Sequence, residues 1–256
     1  MITWIFLRGL SRESRHWGSF PELFAKGVSD AQVFTPDLPG NGSLNTRKSP
    51  LHIAEMAESI RAQLIEQGVR PPYYLLAMSL GAMVAVAWAT RYPEEIQGGV
   101  LINTSLRPFS PFYRRLKPAN YLRLLKLALL GACDRNWEKT ILELTSHKDN
   151  HSENLLDHWV AYRREYPVNS QNAFRQIVAA ARYRAPLARP PLPILILTSK
   201  EDALVDTSCS HQLAMHWNTD FAEHPSAGHD LPLDDGDWVV RQVSLWLAAK
   251  SPYSEI

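Results

Sequence analysis

The 256-residue chain holds only two cysteines, Cys133 and Cys209, and no C-x-x-C pair. That excludes a disulfide scaffold and a thiolate zinc site. It fits a reduced, cytoplasmic protein in which both thiols are small buried side chains. No apolar run approaches the roughly 18 residues that span a bilayer. The opening MITWIFL carries neither a basic leader nor a small-residue cleavage site, so a first strand is expected there rather than a signal peptide. No glycine-rich stretch followed by Lys-Ser/Thr offers a phosphate cradle. Histidines and carboxylates lack metal-ligand spacing, and neither a metal nor a cofactor is expected. Internal repeats, low-complexity tracts and nucleic-acid recognition motifs are all missing.

What is present suits a globular fold: 45% hydrophobic residues against 21% charged. The net charge of +1 conceals a division. Residues 105–190 carry 15 Lys and Arg against seven Asp and Glu, or +8, and the remainder carries −7. Two readings stand open for that basic segment: a solvated helical surface, or a face for anionic partners.

Apolar runs at 3–7, 31–35, 73–77, 99–103, 192–198 and 219–223 read as strands. Helical patterns occupy 17–26, 51–67, 207–217 and 238–249; in the second, Ile53, Met56, Ala57, Ile60, Leu64 and Ile65 recur at helical period. Strands alternating with helices predict a mostly parallel sheet covered on both faces, an α/β fold. Between 103 and 192 only helical patterns occur, at 121–130, 137–147, 155–164 and 173–183. The expected organisation is therefore a core of 1–104 and 191–256, with 105–190 as a helical insertion.

The chemistry centres on YYLLAMSLGAMVAVAWATRYP, residues 73–93. A buried strand runs into a turn bearing Ser79, and an Ala- and Val-rich helix follows. Small residues stand two places either side of the serine, Ala77 and Gly81, as a tight strand–turn–helix requires. Serine is a poor nucleophile alone; it needs a histidine to take its proton, an acid to orient the histidine, and donors for an oxyanion.

The sequence Ala77-Met78-Ser79-Leu80-Gly81 resembles the G-x-S-x-G nucleophile elbow of the α/β-hydrolase family, with Ala at the first glycine. Three further segments resemble the family in the same order. Arg8-Gly9-Leu10 stands where the family carries H-G-x, and Asp37 to Gly42 is similar to its D-x-x-G-x-G loop. After the insertion, the loop from Ser199 to Asp206 resembles G-x-x-D-x-x-V-P, and Ala227-Gly228-His229-Asp230 resembles its G-H loop. The resemblance implies an α/β-hydrolase fold with an inserted helical cap. It aligns Ser79 with the nucleophile, Asp202 with the acid and His229 with the base. Glu201 and Asp206 are weaker candidates for the acid, and His224, His211 and His216 are expected in structural roles. The backbone N–H groups of Leu10 and Leu80 are aligned with the oxyanion hole. Arg8 departs from the family's histidine, and two roles stand open: bonding loop carbonyls, or meeting a substrate carboxylate. The family also commonly opens with an antiparallel hairpin, so a sheet trimmed at one edge is expected.

The resemblance extends to the group containing pimeloyl-acyl-carrier-protein methyl ester esterase and small carboxylesterases, whose cap is basic and lined with aromatics. It implies a serine carboxylesterase acting on a small-molecule acyl ester. An acidic acyl carrier protein or a coenzyme A thioester would suit the basic cap, and Arg114, Arg115, Arg123 and Trp159 are the expected substrate contacts there, with Arg8 beside the serine. No nucleic acid or membrane is implied. Two other readings remain. A menaquinone-branch lyase, similar in its His16-Trp17 loop, would use the same triad for proton abstraction. A binding protein on this scaffold would use none of it. Haloalkane dehalogenases need Asp where Ser79 stands.

Overall fold

The computed structural model describes residues 1–129, 133–147 and 153–250. Six parallel strands form one sheet: β1 (Ile2–Leu7), β2 (Ala31–Phe34), β3 (Tyr73–Met78), β4 (Ile96–Ile102), β5 (Ile194–Ser199) and β6 (Asp220–His224). Their order is β2-β1-β3-β4-β5-β6. The central strands are apolar on both faces because both are covered. Alternate residues point to opposite sides. Ile5, Leu7, Leu75, Leu101 and Ile196 meet α2 (Ile53–Glu66), α3 (Leu80–Arg91) and α9 (Ser208–Trp217). Trp4, Phe6, Leu76, Val100 and Leu197 meet α1 (Phe20–Gly27) and α11 (Gly236–Lys250).

The strands and helices expected from the sequence occur within a few residues of their predicted bounds. Strand β4 starts earlier, at Ile96, because Gly98 and Gly99 sit in the ladder where a weak apolar pattern hides them. A Cβ at Gly98 would come within 2.8 Å of the Tyr74 ring, so a larger residue would push the neighbouring strand's side chain aside.

Between β4 and β5 lie α4 (Phe112–Arg115), α5 (Tyr121–Leu129), α6 (Asp134–Thr145), α7 (Glu153–Glu165) and α8 (Ser170–Arg182). The predicted helix 121–130 ends on Leu130, outside the described residues. This segment touches the loops that follow strands. Gln176 accepts from Ser11 N–H and donates to Asn41 and Ser49. Glu138 pairs with Arg12 at 2.5 Å, and the Asp230 N–H donates to the Thr145 carbonyl. A short helix, α10 (Leu231–Asp234), follows β6. Cys209 is buried, but Cys133 is exposed, contrary to the expectation for both thiols, because it stands at the start of α6 outside the sheet core.

Candidate active site

Ser79 occupies the turn between β3 and α3 with φ 54° and ψ −115°. A non-glycine residue there costs about 1–3 kcal/mol, which the flanking elements offset. Its N–H donates to the Ile102 carbonyl at 3.0 Å, tying the turn to the end of β4. Gly81 explains the small residue after the serine. A Cβ there would lie 2.3 Å from the Leu7 carbonyl oxygen and 2.7 Å from that of Arg8, so the first turn of α3 rests on the end of β1. Ala77 is fully buried and in register with Leu7, and this elbow accommodates its methyl. Gly9 faces the serine: a Cβ on it would sit 3.4 Å from Ser79 Cβ and 3.8 Å from Ser79 Oγ. The loop carrying Leu10 thus runs beside the hydroxyl. Leu80 begins α3, whose N-terminal dipole favours negative charge at this point.

Asp202 stands in the loop after β5, and both its oxygens are committed. Oδ1 accepts from the N–H groups of Leu204 and Val205 at 2.8 and 2.9 Å; Oδ2 meets His229 Nδ1 at 2.7 Å. Both side chains are almost fully buried. The Asp contact fixes the proton on Nδ1 and leaves Nε2 as the basic nitrogen. Burial, the largest influence, pushes the His229 pKa down. The Asp202 carboxylate outweighs it by charge and hydrogen bond, Asp230 adds to the upward push, and the net displacement is upward. The other acids play different parts. Asp206 accepts from the Ser208 N–H at the start of α9, and the Glu201 carbonyl meets His147.

Asn103, unremarked in the sequence, joins these parts. It follows β4 directly, is 1% exposed, and adopts φ 45°, a conformation asparagine tolerates better than most residues. Its Nδ2 donates to the carbonyls of His229 at 2.8 Å and Gly228 at 3.3 Å and to Ser199 Oγ at 3.0 Å. Its Oδ1 accepts from the Ser199 N–H at 2.8 Å. One side chain therefore spaces the acid strand from the histidine loop. The only local signal is a polar residue closing an apolar strand beside the elbow strand.

Ser79, Asn103, Asp202 and His229 all follow the C-terminal ends of parallel strands, where open α/β sheets place ligands. A model of the Alpha/beta hydrolase family matches residues 4–242. The chain belongs to this family. It is similar to a Serratia proteamaculans protein named as a carbamate hydrolase, RutD: 27% identical over 208 residues, which cover 76% of this chain and 72% of that one. Among solved structures, a thermophilic esterase from Thermogutta terrifontis superposes with a TM-score of 0.74 at 19% identity, over 97% of this chain and 90% of its own. A Mycobacterium tuberculosis protein named as a non-heme bromoperoxidase, BpoC, gives 0.75 at 19%, over 97% and 92%. At such identities the structures establish the fold alone.

Within this hydrolase fold, each group expected to meet substrate also has a partner within the chain. Arg8 is 4% exposed and forms a two-pronged pair with Asp230, at 3.1 and 2.6 Å. Of the two roles left open for Arg8, this pair fits the structural one, with a carboxylate of the chain as partner in place of loop carbonyls. Arg123 pairs with Glu143, Arg114 donates to Ser208 Oγ at 3.4 Å, and Arg115 to the Ala180 carbonyl at 2.8 Å. Trp159 is 2% exposed. The Arg12 guanidinium covers its face at 4.3 Å and the His16 ring meets it edge-on at 5.3 Å, so it packs the inserted helices onto the β1 loop rather than lining an open cleft. Pairs inside the segment, such as Arg163 with Asp134 and Arg135 with Asp157, fix where some of its cations lie and leave its net charge at +8.

Asp37 is structural, accepting from the N–H groups of Ser14 and Ser43 at 2.8 and 2.9 Å. His224 shapes the turn leading to His229, accepting from the Ala227 N–H at 2.8 Å. His211 pairs with Glu223, and His216 packs on Phe109. No cluster of three or more metal-ligating side chains occurs among the described residues. No helix there is long and apolar enough to cross a membrane.

Proposed function

We propose that this chain is a serine hydrolase of carboxylic esters, with Ser79 as nucleophile, His229 as base and then acid, and Asp202 as the group that orients it. The observation that carries the reading is the 2.7 Å contact between Asp202 and His229 Nδ1, at the same sheet edge as a serine strained into a left-handed turn. Ser79 Oγ attacks the ester carbonyl carbon as its proton passes to His229 Nε2. The oxyanion is met by the N–H groups of Leu80 and Leu10. Collapse breaks the ester bond, and His229 returns the proton to the departing alcohol. Water, deprotonated by His229, then releases the acid and restores Ser79.

The helical segment 105–190 acts in this reading as a cap that selects the substrate. An acyl ester carried on an acidic acyl carrier protein, or a coenzyme A thioester, is the substrate best matched to its excess of basic residues. Short, carrier-free acyl esters are the first substrates to try, because they test the Ser79 chemistry without a carrier. Carbamates join the panel because of the relative named for that activity.

The test is turnover of p-nitrophenyl esters of graded acyl length, methyl esters of carrier-bound acids, and carbamates, by the parent and Ser79→Ala. The substitution is expected to lower turnover by at least about a thousandfold while leaving the fold intact. Undiminished turnover would overturn the mechanism.

A further inference from the structure

The Arg8–Asp230 pair joins two loops that this chemistry must keep in register. Arg8 immediately precedes Gly9 and Leu10, and Asp230 immediately follows His229. The side chains are 4% and 2% exposed. The same guanidinium lies over the Trp17 ring at 4.6 Å and reaches the sulfur of Met78, the residue before Ser79, at 3.9 Å. One cation thus touches the end of β3 and the histidine loop from the loop after β1. Stability alone does not account for it. Burying two charges costs several kcal/mol per ion, and packed hydrophobic residues often serve as well or better. Arg8 Nε is moreover buried without an acceptor among the described residues. What a guanidinium–carboxylate fork adds is direction, because two parallel hydrogen bonds fix both distance and plane.

We propose that Arg8 and Asp230 are positioning residues, a brace separate from Asp202 that holds the histidine loop against the loop beside Ser79. What is positioned rests on the hydrolase reading above; the brace itself rests on the geometry. The two charges act on His229 in opposite senses, the Asp230 carboxylate favouring the imidazolium and the Arg8 guanidinium opposing it. Asp202 also faces the ring. Lys117 holds the Asp202 carbonyl, and His147 and Asp234 lie at Gly228, so these remain constant across the variants below.

The test compares Arg8→Met, Asp230→Asn, the double variant and Arg8→Lys, by the pH profile of kcat/KM and by NMR titration of the His229 ring. Asp230→Asn is expected to move the acid limb down by about one pH unit and Arg8→Met to move it up by about as much. The double variant returns it close to the parent. Arg8→Lys keeps the limb in place but lowers kcat roughly tenfold, since one ammonium cannot hold both oxygens in plane. Shifts in the same direction for both single variants, or none, would overturn the proposal. If the single variants do not fold, a folded double variant with parental kcat overturns it, and one with reduced kcat and an unmoved limb supports it. The ring titration needs no turnover. If Ser79 proves inert, opposite NMR shifts still uphold the brace while the hydrolase reading fails.

Discussion

At the scale of single residues, the proposed mechanism makes the pH response depend on His229. A general base works only when neutral, and the net displacement of this imidazole is upward from its ordinary 6.5. Activity is therefore lost as pH falls through a value above 6.5, and a kcat/KM profile with its acid limb below 6 would contradict the assignment. Replacing Asp202 by Asn keeps the shape but frees the wrong tautomer, and about a ten-thousandfold loss of kcat is expected. Asn103→Ala strips partners from the His229 carbonyl and the Ser199 N–H, each costing about 1–3 kcal/mol when buried and unpaired. The expected outcome is a lowered melting temperature together with a lowered kcat. The placement of Ser79, Asp202 and His229 after strand ends was legible because each stands beside a small or turn-forming neighbour close to an apolar run. Asn103 was not, since its partners lie about a hundred residues away in sequence and no spacing encodes them. Arg8 was noticed as a departure, but only the fold could reveal Asp230 as its partner.

Elements show how tightly the serine turn is specified. The backbone oxygens of Leu7 and Arg8 that abut Gly81 cannot yield as a flexible side chain would. Gly81→Ala should therefore destabilise by about 3 kcal/mol, read as a fall in denaturant midpoint. Ala77→Gly, at the other small position, should leave the elbow able to form. The inserted helices are anchored by the Arg12–Glu138 pair, whose side chains are 9% and 3% exposed. Glu138→Gln leaves a buried guanidinium short of its carboxylate and is expected to cost about 3–5 kcal/mol. A stability unchanged by that substitution would mean that the segment docks by other contacts. The helices of this segment were legible from periodicity. How they dock was not, because a net charge does not say which arginine meets which carboxylate, as Arg12 meets Glu138 from 126 residues away.

For the molecule as a whole, the parallel sheet brings residues from four separate stretches to one edge; the order of strand and helix in the sequence was enough to predict the parallel sheet, and the resemblance aligned the residues that meet there. A second histidine gives the fold its own pH signature. His16 is buried; burial, then the charges of Arg12 and Arg8, hold its pKa well below the ordinary value. A group depressed in the folded state stabilises above its unfolded pKa and loses that contribution as pH falls below it. His229 is displaced the other way, so its contribution is present below its unfolded pKa and lost as pH rises through the folded one. Melting temperature should thus fall on acidification below about 6.5, and less steeply in a folded His16→Gln variant. The central claim concerns Ser79, and covalent trapping tests it most directly: a fluorophosphonate probe, followed by peptide mass mapping of the parent and of His229→Ala. One adduct, on Ser79, is expected in the parent and almost none in the variant. Ester turnover with no adduct on Ser79 would contradict that claim.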